Sequence, residues 1–135
     1  MYDLFCIFTT GGLILWYKQM LPEFKFDVIN NLIKTVLLDE KRTVDSYKQN
    51  DTIVKWKILN DLGLIFLVAY KDAYNLLYVD QLLDYATKDF SSKILPSLKK
   101  IGEVYYDCPN YSENFSNLLK KWQQYCAEKR EYYLF

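Results

Sequence analysis

The sequence predicts a mixed α/β domain of the α+β kind: a five-stranded antiparallel sheet with one helix on one face and two on the other, in the order ββαβββαα. Three observations carry this. Residues 2–8 and 13–17 are apolar on both alternating sets, the pattern of strands covered on both faces. The Thr9-Thr10-Gly11-Gly12 stretch between them has the turn chemistry of a hairpin, which forces antiparallel pairing. Three other segments repeat apolar residues at helical steps and so supply the cover that such strands need.

In the first strand Tyr2, Leu4, Cys6 and Phe8 form one set and Phe5 and Ile7 the other; with residues 13–17 it makes a central pair. After a loop around Pro22, Val28, Ile29, Leu32, Ile33, Val36 and Leu37 recur at steps of one, three and four, a single helical stripe. Asp27 is its expected N-cap and Asp39-Glu40-Lys41-Arg42 its exit. A polar loop to about Asp51 follows. Residues 52–59 read as a strand with Val54, Trp56 and Ile58 on one side and Lys55 and Lys57 on a wetter one. Asn60-Asp61-Leu62-Gly63 is a turn, and residues 64–70 are an uninterrupted apolar strand. Lys71-Asp72 marks another turn. Residues 74–78 are expected as the fifth strand, running into a helix with Val79, Leu82, Leu83, Ala86 and Phe90 on its buried stripe. Pro96 and Gly102 punctuate the next region. The last helix is expected to start at Ser112 as N-cap, with Glu113 in its first turn, and to bury Phe115, Leu118, Leu119, Trp122 and Cys126.

The 135 residues suit one core, and 51% apolar with 25% charged residues is an ordinary globular mixture. Thirteen Tyr, eight Phe and three Trp are a surplus of rings that fits an interaction surface and equally fits an aromatic core. Seventeen basic and seventeen acidic side chains cancel, so no overall field favours nucleic acid or an anionic membrane. Cys6, Cys108 and Cys126 have no paired spacing and point to a reducing compartment. No apolar run approaches the roughly 18 residues of a membrane span, and the first residues lack signal-peptide character.

Histidine is absent, which removes the commonest general base and most zinc sites. Neither GxxxxGK[ST] nor GxGxxG occurs, and Gly11-Gly12 lies between two strands rather than before a helix. The acids at 39 and 40, and at 80 and 84, fall at helix ends or on solvent faces. The basic pairs Lys99-Lys100, Lys120-Lys121 and Lys129-Arg130 read as solvated faces or as a membrane-facing patch. No catalytic, cofactor-binding or metal-binding residue is expected; a protein-binding module is.

A family fits this order. Met1-Tyr2-Asp3-Leu4-Phe5-Cys6-Ile7-Phe8, Gly11-Gly12-Leu13-Ile14-Leu15-Trp16 and Asn31-Leu32-Ile33-Lys34-Thr35-Val36-Leu37-Leu38-Asp39-Glu40 resemble the N-terminal domain of the signal recognition particle receptor alpha subunit. Residues 52–57, 64–70 and Leu77-Tyr78-Val79-Asp80-Gln81-Leu82-Leu83-Asp84 continue the collinear match, which runs through Leu119. The resemblance implies a longin, or SNARE-like, fold spanning residues 1–130. Residues 131–135 would be a tail leading toward the linker and GTPase region of a longer protein.

The resemblance further implies that the domain binds the GTP-loaded beta subunit, a small GTPase anchored in the endoplasmic reticulum membrane. It would thereby tether the receptor at the cytosolic face for cotranslational targeting, meeting the signal recognition particle and the ribosome only indirectly. GTP and Mg are expected on that partner, with none in this chain and no direct contact with nucleic acid. The contacting residues implied are Thr9, Thr10, Gly11 and Gly12 of the first turn with Asn30, Asn31, Lys34, Leu37 and Leu38 of the first helix, Leu37 being read equally as core. The rival readings are another longin-type trafficking module (a SNARE regulatory domain, an adaptor small subunit or a tethering-complex subunit) and, from a different class, an enzyme with paired carboxylates.

Overall fold

Hairpins and apolar alternation build one sheet. The computed structural model describes residues 2–22, 26–32, 46–72, 78–101, 104–106 and 108–133. Strands β1 (Leu4–Thr9), β2 (Ile14–Gln19), β3 (Ser46–Gln49), β4 (Thr52–Leu59) and β5 (Leu64–Lys71) form an antiparallel sheet in the order β2-β1-β5-β4-β3. Helix α1 (Asp27–Leu32) follows β2; α2 (Val79–Lys93) and α3 (Ser112–Tyr133) follow the sheet. Between those two helices a 3-10 turn (Leu95–Ser97) leads into a small hairpin of β6 (Lys99–Ile101) and β7 (Val104–Tyr106).

The alternation of β1 and β5 sorts side chains into two cores. Phe5, Ile7, Phe66 and Val68 pack with Leu82, Phe90, Tyr111, Phe115 and Trp122 from the α2 and α3 side. Leu4, Cys6, Phe8, Leu67 and Ala69 pack with Val54, Trp56 and Ile29, the last from α1. One helix on one face and two on the other is therefore the observed arrangement. Trp122 donates its indole N–H to the Tyr78 carbonyl at 2.8 Å, fixing α3 to the first turn of α2. Lys57 Nζ lies 2.6 Å from Asp84 of α2, a half-exposed pair worth at most about 1 kcal/mol.

Several expectations are corrected. The stretch before Asp51 is not all loop: Ser46–Gln49 is an edge strand, turned into β4 by Asn50 in the left-handed region (φ 57) and Asp51. It is the fifth strand of the sheet among the described residues. Residues 74–77 lie outside the described residues, and Tyr78 is no strand residue but the left-handed cap before α2. The first hairpin is not wholly central, because β2 forms an edge. At α3 the cap comes from upstream: Asn110 Oδ1 accepts from the Ser112 N–H at 3.0 Å, while Trp16 Nε1–H donates to the Ser112 hydroxyl at 3.3 Å. Asp27 likewise lies inside the first turn of α1, whose leading carbonyl, that of Phe26, accepts from the Asn30 N–H at 3.0 Å. Helix α3 runs on to Tyr133, past residue 130.

Candidate protein-binding surface

Register at the β1–β2 edge decides what faces water. Ile7 pairs with Trp16 but Phe8 pairs with Ile14, so Leu15 is extra and the strand bulges there. The bulge directs both Leu15 and Trp16 toward the α2–α3 core. Ile14 and Tyr17, opposite Phe8 and Cys6, are left on the α1 face of the sheet, about half exposed. Leu13 and Met20 beside them are open to a similar degree, and Phe26 at the start of α1 is 38% exposed. The rings of Tyr17 and Phe26 meet edge to face at 6.4 Å. An apolar strip thus follows the edge strand from the turn to α1.

The backbone beneath this strip is tied at both ends. In the turn, Thr9 N–H donates to the Leu13 carbonyl at 2.8 Å, Gly12 N–H donates to the Thr9 carbonyl at 2.9 Å, and Leu13 N–H donates to the Thr9 hydroxyl at 3.0 Å. Thr10 N–H reaches across to the Gly63 carbonyl at 3.0 Å, joining this turn to the β4–β5 turn. Gly12 has φ +96, and a Cβ there would meet nothing within 4 Å, so its role is conformational. At the other end the Asp3 carbonyl accepts from the Met20 and Leu21 N–H groups at 2.8 and 3.2 Å. A surface held this firmly loses little entropy on docking.

Of the residues expected to touch a partner, Thr9, Thr10, Gly11 and Gly12 come together in this turn, with Thr9 buried and the other three exposed. Asn30 is exposed on α1, one residue after the buried Ile29, and Asn31 lies in the same helix. Lys34, Leu37 and Leu38 lie outside the described residues. Leu13, Ile14, Tyr17, Met20 and Phe26 were not foreseen as surface. The available signal was Lys18-Gln19, since an edge strand tends to carry a lysine.

Burial pushes the Cys6 thiol up to about 12 and raises that of Cys108, so both are protonated and inert at neutral pH. Asp3 is a buried carboxylate whose pKa is raised by burial, against the lowering pull of Lys71 and the N-terminal amine; Asp51 adds to the rise. Lys71 Nζ lies 3.8 Å from its Oδ2. Among the described residues no group of three or more His, Cys, Asp or Glu is placed to hold a metal, and no helix is long and apolar enough to cross a membrane.

Residues 27–127 match the family model described as Signal recognition particle, alpha subunit, N-terminal. The signal recognition particle receptor subunit alpha of Homo sapiens and that of Mus musculus are each 36% identical over 93 residues, 69% of this chain and 15% of the relative. The Drosophila melanogaster homolog is 33% identical over 84 residues, 62% of this chain and 14% of its own. The chain thus spans about 15% of the length of the curated relatives it matches. Among solved structures, the signal recognition particle receptor SRb-GTP/SRX complex from Chaetomium thermophilum superposes with a TM-score of 0.73 at 26% identity, covering 89% of this chain and 97% of that one. The mammalian SRP receptor superposes with a TM-score of 0.59 at 27% identity, covering 93% and 98%. The sheet with one helix on one face and two on the other is therefore the longin-like SRX fold, and the chain belongs to the family of N-terminal domains of the signal recognition particle receptor alpha subunit.

Proposed function

We propose that this domain binds the GTP-loaded beta subunit of the signal recognition particle receptor and through it tethers the receptor to the cytosolic face of the endoplasmic reticulum membrane. One observation carries the reading: a solved structure that shares this fold over 89% of the chain is a complex of SRX with SRb-GTP. The family match also separates the chain from the other longin-type trafficking modules. In this reading GTP and Mg belong to the partner, and the domain contributes contacts and no catalysis. The signal recognition particle and the ribosome are met indirectly, and the domain, α3 included, acts as one module ahead of further receptor sequence.

The contact surface is the first turn with α1, extended by the apolar strip along β2. Covering it would form an interface near the standard total of about 1,600 Å². Nucleotide state is read by differential affinity: the γ-phosphate orders the switch segments of a GTPase, and its loss releases them. Calorimetric titration against the beta subunit loaded with GTP, loaded with GDP, or empty tests this. Tightest binding to the GTP form is expected. Equal affinity for all three states refutes nucleotide reading, and no binding to any of them refutes the partner assignment.

A further inference from the structure

On the opposite face of the sheet from α1, the solvent sides of α2 and α3 border an open cleft of about 520 Å³. We infer that this cleft is a binding site for a phosphorylated polyol, free or as a lipid headgroup. Its walls are two helical stripes that face each other, positions 85, 88, 89, 92 and 93 of α2 and positions 114, 117, 118 and 121 of α3. The spacing of three and four aligns each stripe along one side of its helix.

The lining is rich in donors. Lys88, Lys93 and Lys121 bring three ammonium groups from both walls, against the single carboxylate of Asp89, a net charge of +2 (three minus one) in a chain whose total charge is zero. Both Asp89 oxygens are engaged: Oδ2 accepts from the Tyr111 hydroxyl at 2.7 Å and Oδ1 lies 2.8 Å from Lys93 Nζ. Lys121 Nζ sits over the Tyr85 ring at 5.4 Å. Lys88 is exposed, with no ion pair among the described residues.

Lys88 stands at the cleft without an ion pair among the described residues, and Lys93 and Lys121, held by Asp89 and the Tyr85 ring, flank it; these cations suit a phosphate ester, which offers several acceptor oxygens on one atom. The carboxamides of Asn114 and Asn117 and the Ser92 hydroxyl both donate and accept, which suits the hydroxyl groups of a polyol. Tyr85 and Leu118 give the cleft an apolar side for the ring carbons, and the volume lies within the usual range for small ligands, about 300–1,000 Å³. An acidic peptide would need a longer run of cations than one cleft provides.

The site is independent of the proposed GTPase surface, which lies on the other side of the sheet. Calorimetry on the whole chain with inositol 1,4,5-trisphosphate and with inorganic phosphate, and flotation with phosphatidylcholine vesicles with or without phosphatidylinositol 4,5-bisphosphate, test the proposal. Expected is saturable binding of the trisphosphate, tighter than that of inorganic phosphate and weakened by salt. Lys88→Ala and Lys121→Ala, at exposed positions, should each weaken it by about tenfold or more, and Lys18→Ala on β2 should not. Binding to lipid vesicles alone, with the same dependence on Lys88 and Lys121, assigns the headgroup as the source. Overturning results are equal affinity for inorganic phosphate, no binding to either the trisphosphate or the lipid, or binding indifferent to Lys88 and Lys121 while circular dichroism shows the variants folded.

Discussion

Replacing Tyr17 by alanine tests the apolar strip most directly. Its ring is 52% exposed, stands on the α1 face of the edge strand opposite Cys6, and leans edge-on against Phe26. An aromatic side chain buries about 150–250 Å² when fully covered, so the open half offers about 100 Å² to a partner. At about 25 cal/mol per Å² that is about 2.5 kcal/mol, or roughly 70-fold in dissociation constant. The free domain loses little by the same change, chiefly the contact with Phe26, worth about 0.5–1.5 kcal/mol. Titration of Tyr17→Ala against the GTP-loaded beta subunit should therefore show a large loss of affinity beside a small fall in melting temperature. Tyr17→Phe keeps the ring and should bind nearly as the native domain does. If the alanine variant stays folded and binds within threefold of native, the edge strand does not face the GTPase.

Three further outcomes concern the scaffold. Burial raises the folded pKa of Asp3, so its contribution to stability is full below the unfolded value, about 3.9, and is lost as pH rises through the folded one. Urea unfolding should show Asp3→Asn gaining on the native chain as pH rises above the unfolded value of about 3.9, and a difference flat with pH contradicts this. Gly63→Ala places a Cβ on a φ of +64 and 3.4 Å from Thr10 Oγ1, and should cost about 1–2 kcal/mol in a thermal melt. Gly11→Ala, where a Cβ meets only Thr9 Oγ1 at 3.7 Å without the positive φ, is the mild control. Trp122→Phe leaves the Tyr78 carbonyl without its indole donor and should lower unfolding free energy by about 2 kcal/mol or more, measured by urea titration.

Period and turn chemistry made most of the fold legible. Residues 64–70 had to be sandwiched, and β5 is buried at every position through Tyr70. The stripe of Val79, Leu82, Leu83, Ala86 and Phe90 is the buried face of α2. What escaped was a strand with almost no apolar signal. Ser46–Gln49 is an edge of four residues in which only Tyr47 packs on a core, so period-two alternation had nothing to register, and Asn50-Asp51 was the sole cue. The residue that caps α3, Asn110, whose Oδ1 accepts from the Ser112 N–H, was equally visible, but Ser112 stood nearer the helical pattern and its hydroxyl accepts from a tryptophan 96 residues away.

The site was legible in a more limited sense, and the reason bears on function. Apolar residues on both alternating sets of residues 13–17 state that both faces of the strand avoid water, without stating what covers them. Within the fold, the bulge at Leu15 settles one face by turning Leu15 and Trp16 inward, and leaves Ile14 and Tyr17 half open on the other. Contiguous exposed apolar side chains are unusual on a free monomer and mark interaction surfaces. The requirement written into the strand is then one that the domain meets only when a second protein lies along β2. A central strand was the wrong reading of the topology, yet the cover on both faces that it demanded is what the proposed complex with the beta subunit would supply.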